Sequence, residues 1–153
     1  MKGQISIKTK FGWISAFEKN GKIIKVKFGK TKNGQISKNL KNFRSYLNSF
    51  SKGKSKFKKI SFLIQGDSNQ KKVWRELRKI RFGRTKSYGE IGKKYNLSPR
   101  HIGKICGQNK LLLIIPCHRV IKTDGSIGGF SSTGGVNLKK KLLIFEKTNS
   151  VYS

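Results

Sequence analysis

Residues 114–121 read Ile-Ile-Pro-Cys-His-Arg-Val-Ile and set a thiol (Cys117), an imidazole (His118) and a guanidinium (Arg119) side by side. A thiol is a weak nucleophile until it loses its proton, and a neighbouring base or positive charge promotes that loss. The octet overlaps an apolar run, Leu111 to Ile115, so the competing reading is a buried structural cysteine at the end of a strand. Glu146 is the second residue of interest. It follows Leu142-Leu143-Ile144-Phe145, where a helix should finish, and the macrodipole makes that the wrong end for a negative charge. In a chain with six acidic residues, it reads either as a solvated helix-end carboxylate or as the group that holds His118 in the tautomer a base needs.

Composition narrows the partners. Thirty-six basic residues face six acidic ones over 153 positions, a net charge of +30. Such a field attracts a polyanion, nucleic acid first and an acidic membrane surface second. Seven of the basic residues are arginine and the rest lysine. An AT-rich genome would produce the same bias, so charge alone does not choose. Two cysteines, Cys106 and Cys117, make no disulfide framework and fit a reducing cytoplasm. With two histidines they lack the paired spacing of a structural zinc site. No apolar stretch reaches the length of a membrane span, and Met1 to Ile5 does not open a signal peptide. A cytoplasmic, nucleoid-associated protein is expected.

These groups must be positioned by a scaffold of one compact unit or two small subdomains. Residues 5–28 read as strands, with Asn20-Gly21 as a hairpin turn. Leu40, Phe43, Tyr46, Leu47 and Phe50 recur at helical spacing over 38–50. Residues 60–64 read as a further strand. Residues 65–69 mark a boundary, with Asp67 or Ser68 capping a helix that carries Val73, Trp74, Leu77 and Ile80 and ends at Phe82-Gly83. Residues 88–95 and 99–107 read as two short helices about a turn at 96–98, with Ser98 as N-cap and Pro99 in the first helical position. That is the outline of a helix-turn-helix. A last helix runs from about 137 to 146 with Leu138, Leu142 and Phe145 inward, and 147–153 should fray.

The string Pro116-Cys117-His118-Arg119-Val120 resembles the active-site signature of the O6-alkylguanine-DNA alkyltransferases. The resemblance spans roughly 70–146 in the family's order. It takes in Val73-Trp74 and Leu77, the segment Thr85-Lys86-Ser87-Tyr88-Gly89-Glu90-Ile91, Arg100, Asn109, Gly128-Gly129-Phe130, Gly134-Gly135, and Leu142-Leu143 with Glu146. It implies an α/β (α+β) fold: a small ribonuclease-H-like sheet-plus-helix domain over 1–66, then a helical domain over 67–153 with a helix-turn-helix. It also implies roles. Cys117 accepts the alkyl group, His118 takes the thiol proton, Glu146 orients His118, and Asn109 shapes the cysteine loop. Tyr88 donates to guanine O6 and helps turn the nucleotide out, while Arg100 fills the gap left in the duplex. Ser98 and Lys104 join Tyr88 and Arg100 as DNA contacts. Val120, Phe130, Ser131 and Thr133 wall the base pocket. Arg119 is structural, and Cys106 is a small core residue.

The resemblance implies irreversible transfer of a methyl or small alkyl group from guanine O6 in double-stranded DNA, and leaves open whether thymine O4 is also a substrate. One protein molecule would repair one lesion, as a monomer, with no cofactor and no metal. A non-enzymatic alkyltransferase-like protein that binds the lesion is the alternative, though those relatives replace the cysteine that this chain keeps. A cysteine hydrolase and a plain DNA-packaging protein are the remaining rivals.

Overall fold

The structure is a computed structural model and describes residues 2–54, 59–129 and 135–150. Three antiparallel strands open it: β1 (Gly3–Thr9), β2 (Gly12–Lys19) and β3 (Lys22–Phe28), in that spatial order. The β2–β3 turn is Asn20-Gly21, both with positive φ (51° and 75°), as the tight hairpin turn demands. Ile5 pairs with Ala16, Ile7 with Ile14, Ala16 with Val26 and Ile14 with Phe28, so their side chains share one buried face. Phe17 faces Lys25 whereas Glu18 faces Ile23, leaving Ile24 as an extra residue. That bulge shifts the parity of the strand, which is how Ile23 and Val26 are both buried. Helix α1 (Lys38–Ser51), capped by the Ser37 hydroxyl, carries the five residues expected to face inward, and all five are buried.

Residues 60–64 do not form the full strand expected. Only a single parallel bridge, Ile23 to Phe62, holds them to β3, through Ile23 N to Ser61 O and Leu63 N to Ile23 O (both 2.9 Å). The rest of that edge is taken by a distant segment, where Val26 N donates to Lys110 O at 2.8 Å. One strand edge thus serves two partners, and neither can extend.

Helix α2 (Ser68–Leu77) starts at a capping box between Asp67 and Gln70 and stops five residues short of the expected Phe82. Lys79 N and Ile80 N bond three residues back, to Glu76 O and Leu77 O. The Ile80 side chain is still buried, but its carbonyl accepts from Arg119 (2.8 Å) and not from a helical amide. A two-residue strand β4 (Lys86–Ser87) leads into α3 (Tyr88–Tyr95), whose capping box joins Ser87 and Glu90. Asn96, left-handed at φ 57°, ends α3. Ser98 and Pro99 then open α4 (Pro99–Gly107), giving the two-helix unit with its tight turn. Glu76, nearly buried on α2, receives Lys94 Nζ (3.0 Å) and Tyr95 Oη (3.1 Å) from the end of α3 and so fixes the two helices together.

Strand β5 (Val120–Ile121) runs parallel to β4, a pairing too short for any sequence pattern to show. Helix α5 (Gly135–Asn149) is longer at both ends than expected. Lys147 to Asn149 remain helical, and Asn149 Nδ2 bonds the Phe145 carbonyl at 2.8 Å. Phe11 from the first half meets Phe145 from the second, and Phe50 meets Phe82 and Phe145, with ring centroids 5.1–5.8 Å apart. Among the described residues no helix is long and apolar enough to cross a membrane.

Candidate active site

The apolar run before the nucleophile is a buried turn, not a strand. Ile115 N bonds Leu111 O (2.8 Å), Ile114 N bonds Leu112 O (2.9 Å), and Leu113 sits at φ 70°. A left-handed leucine is strained by about 1–2 kcal/mol, so the surroundings must hold it. Asn109 does so from inside. Its Oδ1 accepts from Leu111 N and its Nδ2 donates to Ile115 O, both at 2.9 Å. The chain then enters a single 3-10 turn, Cys117–Arg119. All three of its side chains are buried, His118 at 1% exposed.

Glu146 Oε2 lies 2.6 Å from His118 Nε2. Arg119 grips the same carboxylate through Nε to Oε1 (2.7 Å) and Nη2 to Oε2 (3.0 Å), and Gly83 N donates to Oε1 at 3.3 Å. Burial alone would raise the Glu146 pKa. The hydrogen bonds from His118 and Arg119 and the positive charge of Arg119 outweigh it and hold the group at about 2. A carboxylate accepts only, so His118 carries its proton on Nε2 and leaves Nδ1 bare. Burial lowers the His118 pKa against the pull of Glu146, which keeps the imidazole neutral and able to take a proton. The His118 backbone hydrogen-bonds the Cys117 thiol, but no hydrogen bond joins the His118 ring to it among the described residues, so a proton passing from thiol to ring needs a bridging water.

The Cys117 thiol is pushed up by burial, while a hydrogen bond from Asn109 and the charge of Lys139 oppose the rise. Asn109 therefore shapes the turn and favours the thiolate at once. Cys117 opens onto a cavity of about 580 Å³ whose wall includes Tyr88, Arg100, Gly103, Cys106 and Gly128. Burial, with the nearby thiols of Cys106 and Cys117, raises the Tyr88 phenol to about 12, so it stays protonated. Arg100 stands exposed on α4 at the same cavity. Lys104 is exposed on that helix. The Ser98 hydroxyl already accepts from His101 N (3.1 Å) as the cap.

Two expected placements differ. Val120 is fully buried in β5 and is not on the cavity wall, because pairing with Lys86 holds it in the core. Cys106 is buried as expected but also lines the cavity. Phe130, Ser131 and Thr133 lie outside the described residues. Sequence reasoning passed over Lys122, at the cavity wall, and Lys139, buried at 0% exposed. Lys139 shares the helical phase of Leu142 and Glu146, and that spacing was the available signal. No cluster of three His, Cys, Asp or Glu able to hold a metal occurs among the described residues.

Fold and site together define a two-helix-unit protein with a buried thiol on a cavity wall, next in the chain to a buried histidine–carboxylate pair. Residues 68–148 match the family described as 6-O-methylguanine DNA methyltransferase, DNA binding domain. The chain is 33% identical over 139 residues to a methylated-DNA–protein-cysteine methyltransferase of Metallosphaera sedula, covering 89% of this chain and 87% of that one. A relative of the same name from Methanocaldococcus vulcanius is 47% identical over 88 residues, 58% of this chain and 53% of its own length. With that protein and its Sulfolobus acidocaldarius counterpart (50% of its length), the match spans about half of the relative. The Mycobacterium tuberculosis OGT solved in complex with DNA superposes with a TM-score of 0.84 at 25% identity, over 96% of this chain and 94% of that one. The chain belongs to the 6-O-methylguanine DNA methyltransferase family.

Proposed function

We propose that this protein repairs double-stranded DNA by moving a methyl or small alkyl group from guanine O6, and from thymine O4, to Cys117, once per molecule. The observation that carries the reading is a buried thiol at a cavity wall that Asn109 hydrogen-bonds and that is followed in the chain by the His118–Glu146 pair. An alkyl group on O6 lies within the base stack, so the nucleotide must be extruded, which costs a few kcal/mol and least for a damaged pair. Arg100, exposed at the cavity, stacks and hydrogen-bonds in the vacated space. Lys104 and the cap region at Ser98 lie against the backbone, and the overall charge of +30 supplies affinity that falls with salt.

In the cavity, His118 Nδ1 takes the Cys117 proton through a water, and Glu146 stabilises the imidazolium. The thiolate attacks the alkyl carbon, and the Tyr88 hydroxyl protonates the departing base. The product is a thioether. Hydrolysis does not break its carbon–sulfur bond, so the protein is consumed. Residues 1–66 serve as a buttressing domain for the 67–153 unit, and the protein acts as a monomer.

Intact-protein mass after mixing with excess duplex carrying O6-methylguanine tests this. A gain of one methylene unit, mapped to Cys117 and absent in Cys117→Ala, is expected. Tight binding to the lesion without any gain would replace the reading with that of a lesion-binding protein.

A further inference from the structure

A second opening lies where the three-stranded sheet meets α5. It is a cleft of about 510 Å³ between the β1–β2 turn, the end of β3 and the start of α5, within the roughly 300–1,000 Å³ typical of ligand sites. Neither α3, α4 nor the 3-10 turn contributes to its wall. Phe11, Phe28 and Leu138 are buried in that wall, and Trp13 is half-buried beside them. Gly12 (φ 105°) and Gly29 (φ 129°) also line it, and a side-chain carbon added to either would meet nothing within 4 Å. The backbone there is bare, so a flat molecule can come close.

The charged groups of the cleft are all positive. Lys30 and Lys141 are exposed at its wall, and Lys30 Nζ stands 4.7 Å from the centre of the Trp13 ring. None of the six acidic residues of the chain lines it. Glu18, on the strand of Trp13, is held by Ser37 (3.0 Å) and Asn39 (2.9 Å). Glu146, on the helix of Lys141, is held by His118 and Arg119. The two glycine carbonyls are engaged as well, Gly12 O by the Thr9 hydroxyl (2.7 Å) and Gly29 O by the Ser15 hydroxyl (2.6 Å). What remains on offer is aromatic surface and ammonium donors.

We propose that this cleft is a second nucleic-acid site, which takes an unpaired base of single-stranded DNA against Trp13 and the neighbouring phosphates against Lys30 and Lys141. Charge selects the polyanion. The aromatic wall selects the single strand, because a base still stacked in a duplex has no free face to lay on a ring. Base stacking on an aromatic side chain is stronger than an exposed cation–π contact. A base therefore displaces Lys30 from the Trp13 ring and frees its ammonium for a phosphate. The site needs no chemistry at Cys117 and stands apart from the alkyl-transfer reading.

Two labelled strands of equal length and charge, oligothymidylate and its abasic counterpart, separate stacking from charge. Trp13→Ala should bind oligothymidylate about tenfold more weakly and the abasic strand as the parent does, while Trp13→Phe, which keeps a ring, should recover most of the loss. Lys141→Ala should weaken both strands alike and lower the salt slope by about 0.7. The Trp13→Ala loss should persist in an Arg100→Ala background, because α4 is not part of the cleft. Fluorescence gives a reading that does not need the alanine variant to fold. Oligothymidylate should quench the parent's emission, and Trp13→Phe should abolish that quenching, since the other tryptophan, Trp74, is buried in the core. Equal losses for the two strands, a Trp13→Ala loss that vanishes without Arg100, or quenching that survives in Trp13→Phe would each overturn the proposal.

Discussion

Arg119→Met separates the structural half of the Glu146 site from the chemical half. The substitution deletes both guanidinium bonds to the carboxylate and the bond to Ile80 O, leaving His118 and Gly83 N as partners. Glu146 is held at about 2 from an ordinary 4.5, which corresponds to roughly 3 kcal/mol of folding stability shared among all its partners. Stripping one partner from a buried ion pair costs about 3–5 kcal/mol, because the remaining charge stays in the interior. His118 moderates this, whereas the orphaned Ile80 carbonyl adds to it by about 1–3 kcal/mol. A loss of about 3–4 kcal/mol at pH 7 is therefore expected, or a fall in Tm of roughly 10 °C for a chain of this size. The folded pKa lies below the unfolded one, so the parent's stabilisation is present above about pH 4.5 and is lost as pH falls toward 2. In the variant the Glu146 pKa rises and that acid-side loss shrinks. Urea unfolding at pH 7, 4 and 3 reads both effects, and transfer assayed on the folded variant should stay within about tenfold, since the base keeps its own partner. A stability loss under about 1 kcal/mol would refute the claim that the guanidinium anchors the carboxylate. A well-folded variant devoid of transfer would refute the structural assignment.

Asn109→Ala should cost about 2–4 kcal/mol in urea unfolding, because Leu111 N–H and Ile115 C=O are stranded in a buried turn; a negligible loss would show the turn holds itself. Gly128→Ala would set a methyl 2.7 Å from Tyr88 Oη and should slow transfer by about tenfold or more with little change in stability, so an unaltered rate would remove Tyr88 from the reaction. Glu76 would titrate higher through burial alone, yet the Lys94, Tyr95 and Lys79 hydrogen bonds hold it at about 2. Its contribution is present above about pH 4.5 and fades as pH approaches 2, so Glu76→Gln should weaken the fold at pH 7 and flatten the acid side of a stability–pH curve. An unchanged curve would show the cluster to be solvated.

Local chemistry was readable wherever a short stretch of chain decides the outcome. Asn20-Gly21 forces its turn, Asp67, Ser98 and Pro99 set helix starts, and the phase of Leu40 to Phe50 buries α1. What escaped depends on partners far away in the chain. Residues 60–64 have a strand's composition, but Lys110 occupies the rest of the edge they would extend along. Leu111 to Ile115 look like a strand for the same reason, and only the Asn109 side chain makes them a turn. Lys139 was hidden among Lys140 and Lys141, both exposed. It is held by Tyr88 of α3 and the Gly129 carbonyl, partners far off in the chain that no local pattern encodes. Glu146 was visible as an anomaly, a carboxylate at a helix end that repels it, and its burial against His118 and Arg119 explains the position.

Both edges of the three-stranded sheet are closed. On one side Gln4 N bonds Gln35 O (3.2 Å) and Ser6 N bonds the Asn33 side chain (2.8 Å). On the other, β3 is capped partly by residues 61–63 and partly by Lys110. A chain emerging from the ribosome meets these closures at different times. Until residue 110 has been made, Val26 presents an unsatisfied amide along an edge open to any other extended peptide. The flanking Lys22, Lys25 and Lys27 then act as gatekeepers, since like charges on a second nascent copy would repel it. The segment that delivers the nucleophile thus also ends the chain's exposure to aggregation.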